Sequence, residues 1–462
     1  MSYCQKLVDS FTAATHSPLT YLGIFDKSGF VEEVSSRSSD APSIGACSLN
    51  QLIFPIASIT KSFAAAAIIK LRDAGQVSLD RPFLEYLDEL STRGLVSNGQ
   101  EVTLRHLLTH TSGLPTDDPW GDRQLKARDE DLLALLQNGL SFDIPAGDRY
   151  CYSNLGYMIL GLVIKKVTGM SAQDYISRSI LEPLGLTRTT WNPTGFDGVA
   201  TGYRYSAFGL WEKEAYLVGN NSGAVFGGLY SCAADLAIWA RFMLQPWQGQ
   251  NPAWASILAM ESIRELQEVR ELISADTCEK DVGYEDVADG RAYGYGLRIF
   301  GRANYNSVGH SGGIPGIGCH LRWIPRLGIG AIAFANRTYA PAWSLVRVAL
   351  DEVGEVYLSA ALSAEARHYL ESIANKFLAY VWAKERKGEG NLFAENVFLD
   401  KTREEWFIEF ADLVKSEGEI PRVTALRTPS ALRVNIHLSS LKIVQLNLTP
   451  TKPALIQSIK VI

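Results

Sequence analysis

The sequence predicts an α+β protein of two domains. Strand patterns flank a long helical stretch within roughly the first 360 residues, and further helices then give way to short alternating runs. At 462 residues the chain exceeds what one hydrophobic core serves, in keeping with a division into about 1–360 and 361–462.

Taken in order, "LTYLGIFDKSGFVEEVSS" alternates around the turn-like "DKSG" and predicts an N-terminal hairpin. From Ser58 the period changes to that of a helix, "SITKSFAAAAIIKLRDAG", closed by Gly75. Residues from about 80 to 215 read mostly as helical pieces separated by turns such as "THTSGLPTDDPWGD". Strand patterns return at "AYGYGLRIF", "YNSVGHSGG", "CHLRWIP" and "GIGAIAFAN", before the helix "APAWSLVRVALDEVG". Past about residue 360, "SAEARHYLESIANKFLAYVWAKE" and "REEWFIEFADLVKSEG" read as helices. "VTALRT", "ALRVNIHL", "LKIVQLNL" and "LIQSIKVI" then form a meander.

Composition narrows the function. A net charge of -6 offers no basic footprint for nucleic acid or acidic lipid. Apolar runs such as "AAAAIIKL" stop at lysines well short of a membrane span. The N-terminus lacks a basic start followed by an apolar run, and the six cysteines (Cys4, Cys47, Cys151, Cys232, Cys278, Cys319) are scattered with no C-x-x-C pair. These features lead us to expect a cytoplasmic protein with reduced thiols, acting on small molecules, with no nucleic-acid or membrane partner.

Three short stretches carry chemistry. Ser-x-x-Lys occurs twice, at Ser58/Lys61 and Ser439/Lys442. On a helix, residues three apart share a face, so Lys61 can reach the Ser58 hydroxyl; Ser439 falls in a turn or strand, where the two side chains diverge. Ser58 is then either a nucleophile or a helix N-cap. Tyr152-Ser153-Asn154 would add a phenol and an amide able both to donate and to accept. The third stretch, "VGHSGGIPGIG", satisfies G-x-S-x-G, but a nucleophile elbow requires a helix after the serine, and Gly-Gly-Ile-Pro-Gly cannot start one. A likeness to the "GDSGG" of trypsin-like proteases also fails, because the middle of the chain is helical. His-Ser-Gly reads better as a strand lining a cleft. "HLLTH" sets His106 and His110 four apart, as in a helical zinc pair, but the glutamate of H-E-x-x-H and a third ligand are missing, so neither a metal nor another cofactor is called for.

Ser-x-x-Lys, Tyr-x-Asn and His-Ser-Gly, in this order, resemble the serine β-lactamase and penicillin-binding-protein family. Within it they are most like the branch of class C β-lactamases, esterases and D-aminopeptidases. "VTLRHLLTHTSGL", "YSNLGYMILGLVIKKVTG" and "GGLYSCAADLAIWARFM" extend the resemblance over roughly residues 5 to 355. It implies a β-lactamase/transpeptidase-like antiparallel sheet built from both ends of this region, flanked by helices and carrying an inserted helical subdomain. The C-terminal helix-plus-sheet domain lies outside it.

The resemblance makes Ser58 the nucleophile and Lys61 or Tyr152 its base, with Asn154 orienting the acyl side. By analogy, the oxyanion sits on the N–H groups of Ser58 and Gly313, with His310 and Ser311 lining the substrate. Lysine usually stands where this chain has His310; a mostly neutral histidine is a weaker anion anchor. The expected activity is hydrolysis of a small ester, amide or short peptide, with acyl transfer, β-lactam cleavage and a non-catalytic binding role as alternatives. The C-terminal domain is expected to fold separately, shaping the cleft or a contact between copies in a homo-oligomer, without supplying a catalytic residue.

Overall fold

The computed structural model describes every residue except 1, 39–47, 91–94, 119, 216, 220, 274–289, 302–304, 383–391, 395, 418–422, 431, 439–441, 451–453 and 462. Cys47, Cys278 and Ser439 therefore lie outside the described residues. The chain divides into two compact units, Met1–Leu350 and Asp351–Ile462. The division falls inside helix Ala342–Ala361, whereas the sequence reading set it at about 360.

In the first unit, strands β1 (Leu19–Asp26) and β2 (Gly29–Arg37) form the expected hairpin. They join β3 (Glu271–Leu272), β4 (Gly290–Tyr293), β5 (Arg298–Gly301), β6 (Asn306–Ile314), β7 (Ile317–Ile324) and β8 (Ile329–Ala335). The order is β2-β1-β8-β7-β6-β5-β4-β3, and every neighbouring pair is antiparallel. Both ends of the unit thus supply one sheet. β7 and β8 are buried along their whole length, β8 as an unbroken apolar run and β7 with His320 and Arg322 among its buried residues.

Helix α1 (Tyr3–Thr15) packs on β1 and β2. Helix α2 (Thr60–Asp73) is buried on nearly every side, which its four consecutive alanines permit by letting neighbours approach closely. Helices α3 (Leu104–Leu108) and α4 (Asn154–Thr168) belong to the stretch between the two sets of strands, and α5 (Ala233–Gln248) packs on β7 and β8. Trp239 of α5 stacks on Phe63 of α2 at 4.1 Å and donates Nε1–H to Ser62 Oγ at 3.0 Å, pinning α2 from behind. Among the described residues, no single helix is long and apolar enough to cross a membrane.

In the second unit, α7 (Ala364–Trp382), which follows α6 (Ala342–Ala361), and α8 (Arg403–Glu417) share a core with a four-stranded antiparallel meander. Its strands are β9 (Val423–Ser430), β10 (Arg433–Leu438), β11 (Ile443–Leu448) and β12 (Ile456–Val461). Val434, Ile436 and Leu438 alternate with polar residues on β10, the period-2 signature by which the strand was legible.

Candidate active site

Ser58 lies in a 3-10 turn, Ala57–Ile59, that runs directly into α2. Its hydroxyl makes no capping bond, so the helix-cap alternative is not realised. Ala57, just before it, takes φ 43, a left-handed conformation that costs a non-glycine residue energy and is retained where the surroundings impose it. One helical turn on, Lys61 Nζ lies 3.0 Å from Ser58 Oγ, 2.6 Å from Asn154 Oδ1 and 3.0 Å from the Phe226 carbonyl oxygen. Lys61 is fully buried, and desolvation draws its pKa down to about 8, against the pull of Asp118, Asp122 and Asp117. The Asn154 and Phe226 oxygens absorb the two N–H bonds of a neutral amine, leaving its lone pair for the Ser58 proton.

Burial holds the Tyr152 phenol well above the usual range, with Tyr293 and Asp118 adding to the shift and the nearby Ser58 hydroxyl and Arg298 opposing it. Tyr152 is therefore a phenol rather than a phenolate at neutral pH. Asn154 opens α4 and is completely buried; its amide bridges Lys61 and the Asp118 carboxylate. Asp117 accepts from Ser153 Oγ (3.0 Å) and from the backbone N–H groups of Asn154 and Leu155 (both 2.8 Å), fastening the start of α4. Asp122 accepts from Tyr339 Oη at 2.8 Å, and burial raises its pKa to about 7.

The sheet supplies the other wall. A Cβ on Gly312 would stand 2.3 Å from the Ile56 carbonyl oxygen, so β6 lies against the residues that lead into Ser58. His310 is 2% exposed, and both its ring nitrogens are engaged, Nε2 with Tyr293 Oη at 3.1 Å and Nδ1 with the Ser311 carbonyl at 2.6 Å. It forms part of the wall of the site, with both ring nitrogens engaged inside the protein, in the place where the sequence reading put a substrate-lining residue and a weak anion anchor. Ser311 Oγ bonds Nδ1 of His320 at 2.9 Å, across the β6–β7 pair where the two residues face each other. The strand runs through Ser311 without the turn-to-helix geometry of an elbow. His106 Nδ1 accepts the Thr103 N–H in a capping box on α3, and no group of three or more metal-ligating side chains occurs among the described residues.

A family model described as Beta-lactamase matches residues 43–354, well over half of the chain. The chain belongs to the β-lactamase family. That family consists of serine acyl hydrolases. Penicillin-binding protein 4* of Bacillus subtilis (strain 168) is 35% identical over 176 residues, covering 36% of this chain and 37% of that protein. The chain spans about a third to a half of the length of the curated relatives it matches. An octameric penicillin-binding protein homologue from Pyrococcus abyssi has 22% identity and TM-score 0.63, over 97% of this chain and 93% of that one. A D-stereospecific amidohydrolase from Streptomyces sp. has 22% identity and TM-score 0.58, over 75% and 97%. Both share the β-lactamase-family fold.

Five residues at the site escaped the sequence reading: Asp117, Asp118, Asp122, Tyr293 and Arg298. The three aspartates lie in "TDDPWGDR", which looks like an ordinary turn. Arg298 of β5 is 6% exposed, with its guanidinium 5.6 Å from the centre of the Tyr152 ring. Tyr293 sits in the glycine-rich "AYGYGL", which carries no chemical signature of its own.

Proposed function

We propose that this chain hydrolyses a small ester or amide through an acyl-enzyme on Ser58. The supporting observation is the Lys61 amine, buried, 3.0 Å from Ser58 Oγ and drawn toward its neutral form. Lys61 takes the Ser58 proton as Oγ attacks the substrate carbonyl carbon. The oxyanion is received by the N–H groups of Ser58 and Gly313, a role supported by the packing of β6 against Ile56. As the carbonyl re-forms, the bond to the leaving alcohol or amine breaks. The Tyr152 phenol, beside Ser58 and with Lys61 Nζ 4.7 Å from its ring centre, passes a proton to that group and is reprotonated from Lys61. Water then attacks the acyl-enzyme by the reverse route, releasing the acid and restoring Ser58.

Asp117, Asp118 and Asp122 act on Lys61 as nearby negative charges. They favour a neutral or amine-bearing substrate over one that must present a carboxylate there. This supports an esterase or aminoacyl amidase over a β-lactamase, in line with the amidohydrolase among the solved structures of this fold. A cytoplasmic location, suggested by the scattered cysteines, is part of the proposal, and cell fractionation tests it. A panel of a chromogenic acetate ester, D- and L-aminoacyl amides and a cephalosporin tests the rest. Turnover of esters or amides with an acyl adduct on Ser58 is expected; efficient cephalosporin cleavage with neither of the others turned over would overturn the substrate class.

A further inference from the structure

Behind Tyr152, two histidines and a tyrosine from three separate segments meet in a buried chain of hydrogen bonds. The Ser153 backbone N–H donates to His110 Nδ1 at 3.0 Å. His110 Nε2 lies 3.2 Å from Tyr293 Oη, which lies 3.1 Å from His310 Nε2, and His310 Nδ1 lies 2.6 Å from the Ser311 carbonyl oxygen. The ends are backbone groups with fixed roles, one able only to donate and the other only to accept, and this orients every bond between them. His110 must carry its proton on Nε2 and give it to Tyr293; Tyr293 gives its own to His310; His310 carries its proton on Nδ1 and gives it to Ser311. All three side chains are neutral in this arrangement, and none is more than 2% exposed.

The two ends matter because of what adjoins them. Ser153 lies between Tyr152 and Asn154, and Ser311 lies two residues before Gly313. One end therefore holds the segment bearing the phenol and the lysine's amide partner, and the other holds the strand bearing an oxyanion donor. His110 takes φ 59, a left-handed conformation that turns the chain at this point and that the surrounding fold must hold in place. Its ring packs 4.3 Å from that of Tyr152.

We propose that His110 and Tyr293 are positioning residues for acyl transfer, keeping the two walls of the Ser58 site in register through one oriented relay. The proposal rests on the acyl-enzyme reading given above. Lys61 of α2, Arg298 of β5, Tyr150, Tyr152, Tyr157 of α4 and His320 of β7 are the titratable or charged groups around the relay. Burial, with the charges of Lys61 and Arg298, holds His110 and His310 well below the ordinary histidine range, so the relay stays neutral through physiological pH. Protonating His110 would set a new N–H against that of Ser153, and protonating His310 would remove the acceptor for Tyr293.

Tyr293→Phe deletes the bridging oxygen and leaves the ring against His110, Tyr150 and His310. With a chromogenic ester, kcat should fall about tenfold to a hundredfold with KM little changed, as for a lost geometric constraint. The variant should also acquire a new acid-side ionisation, because His310 Nε2 is left without its donor. In the wild type, nitrogen-15 spectra of the histidine rings should show His110 protonated at Nε2 and His310 at Nδ1, unchanged between pH 5.5 and 8. The opposite tautomers would overturn the relay whether or not the variant folds. So would a folded Tyr293→Phe protein whose kcat and pH profile stay within twofold of the wild type while Ser58 is still acylated. Absence of any adduct on wild-type Ser58 would instead overturn the acyl-enzyme reading, and this proposal with it.

Discussion

Raising the pH from 6 to 9 should switch acylation on along the titration of Lys61. An amine with a pKa of about 8 is neutral in roughly one molecule in ten at pH 7, against about one in three thousand for an ordinary lysine at 10.5. If the neutral amine is the base, kcat/KM for a neutral ester should climb about tenfold per pH unit below 7. It should bend near pH 8 and be level by about pH 9. The phenol of Tyr152, held far above 10 by burial, predicts a different curve: a climb that continues through pH 9 without a plateau. Stopped-flow acylation between pH 5.5 and 9.5, with circular dichroism confirming the fold at each pH, distinguishes the two. Lys61→Met should lower the rate by on the order of a hundredfold or more and abolish the bend. A wild-type profile flat from pH 5.5 to 9, or one still rising at 9.5, would refute Lys61 as the base.

Ser58→Ala should abolish turnover and labelling by a fluorophosphonate, whereas Ser311→Ala should keep the label on Ser58; peptide mass spectrometry reads both, and an adduct on Ser311 would restore its claim as nucleophile. Asp122→Asn keeps an acceptor for Tyr339 but removes a charge that holds Lys61 protonated. The bend in kcat/KM should move to lower pH, with a gain of about twofold to threefold near pH 7–8 that vanishes below about pH 6, where Asp122 is itself protonated. Gly296→Ala would place a Cβ 2.6 Å from the Lys61 carbonyl oxygen and 2.8 Å from Ala65 Cβ, at a φ of +69. It should cost roughly 2 kcal/mol or more in denaturant unfolding, with lower activity in whatever remains folded.

Local pattern carried much of this protein. The hairpin at 19–37, the turn and α2 that set Ser58 and Lys61 on one face, and the alternating strands of the C-terminal meander all depend on the period of nearby residues, which a chain displays before it folds. Even the pairing of Ser58 with Lys61 is local, because three residues on a helix bring two side chains together. The rest of the site arises from segments far apart in the chain. Lys61 meets Asn154 across 93 residues and the Phe226 carbonyl across 165, and Tyr293 meets His110 across 183. No periodicity encodes such meetings, so the aspartates read as a turn and Tyr293 as part of a strand. The chemical state of the groups is likewise a tertiary property. Lys61 is drawn toward neutrality and His310 is made a wall of the site because packing removes water from both, and only the folded chain sets how much water is removed.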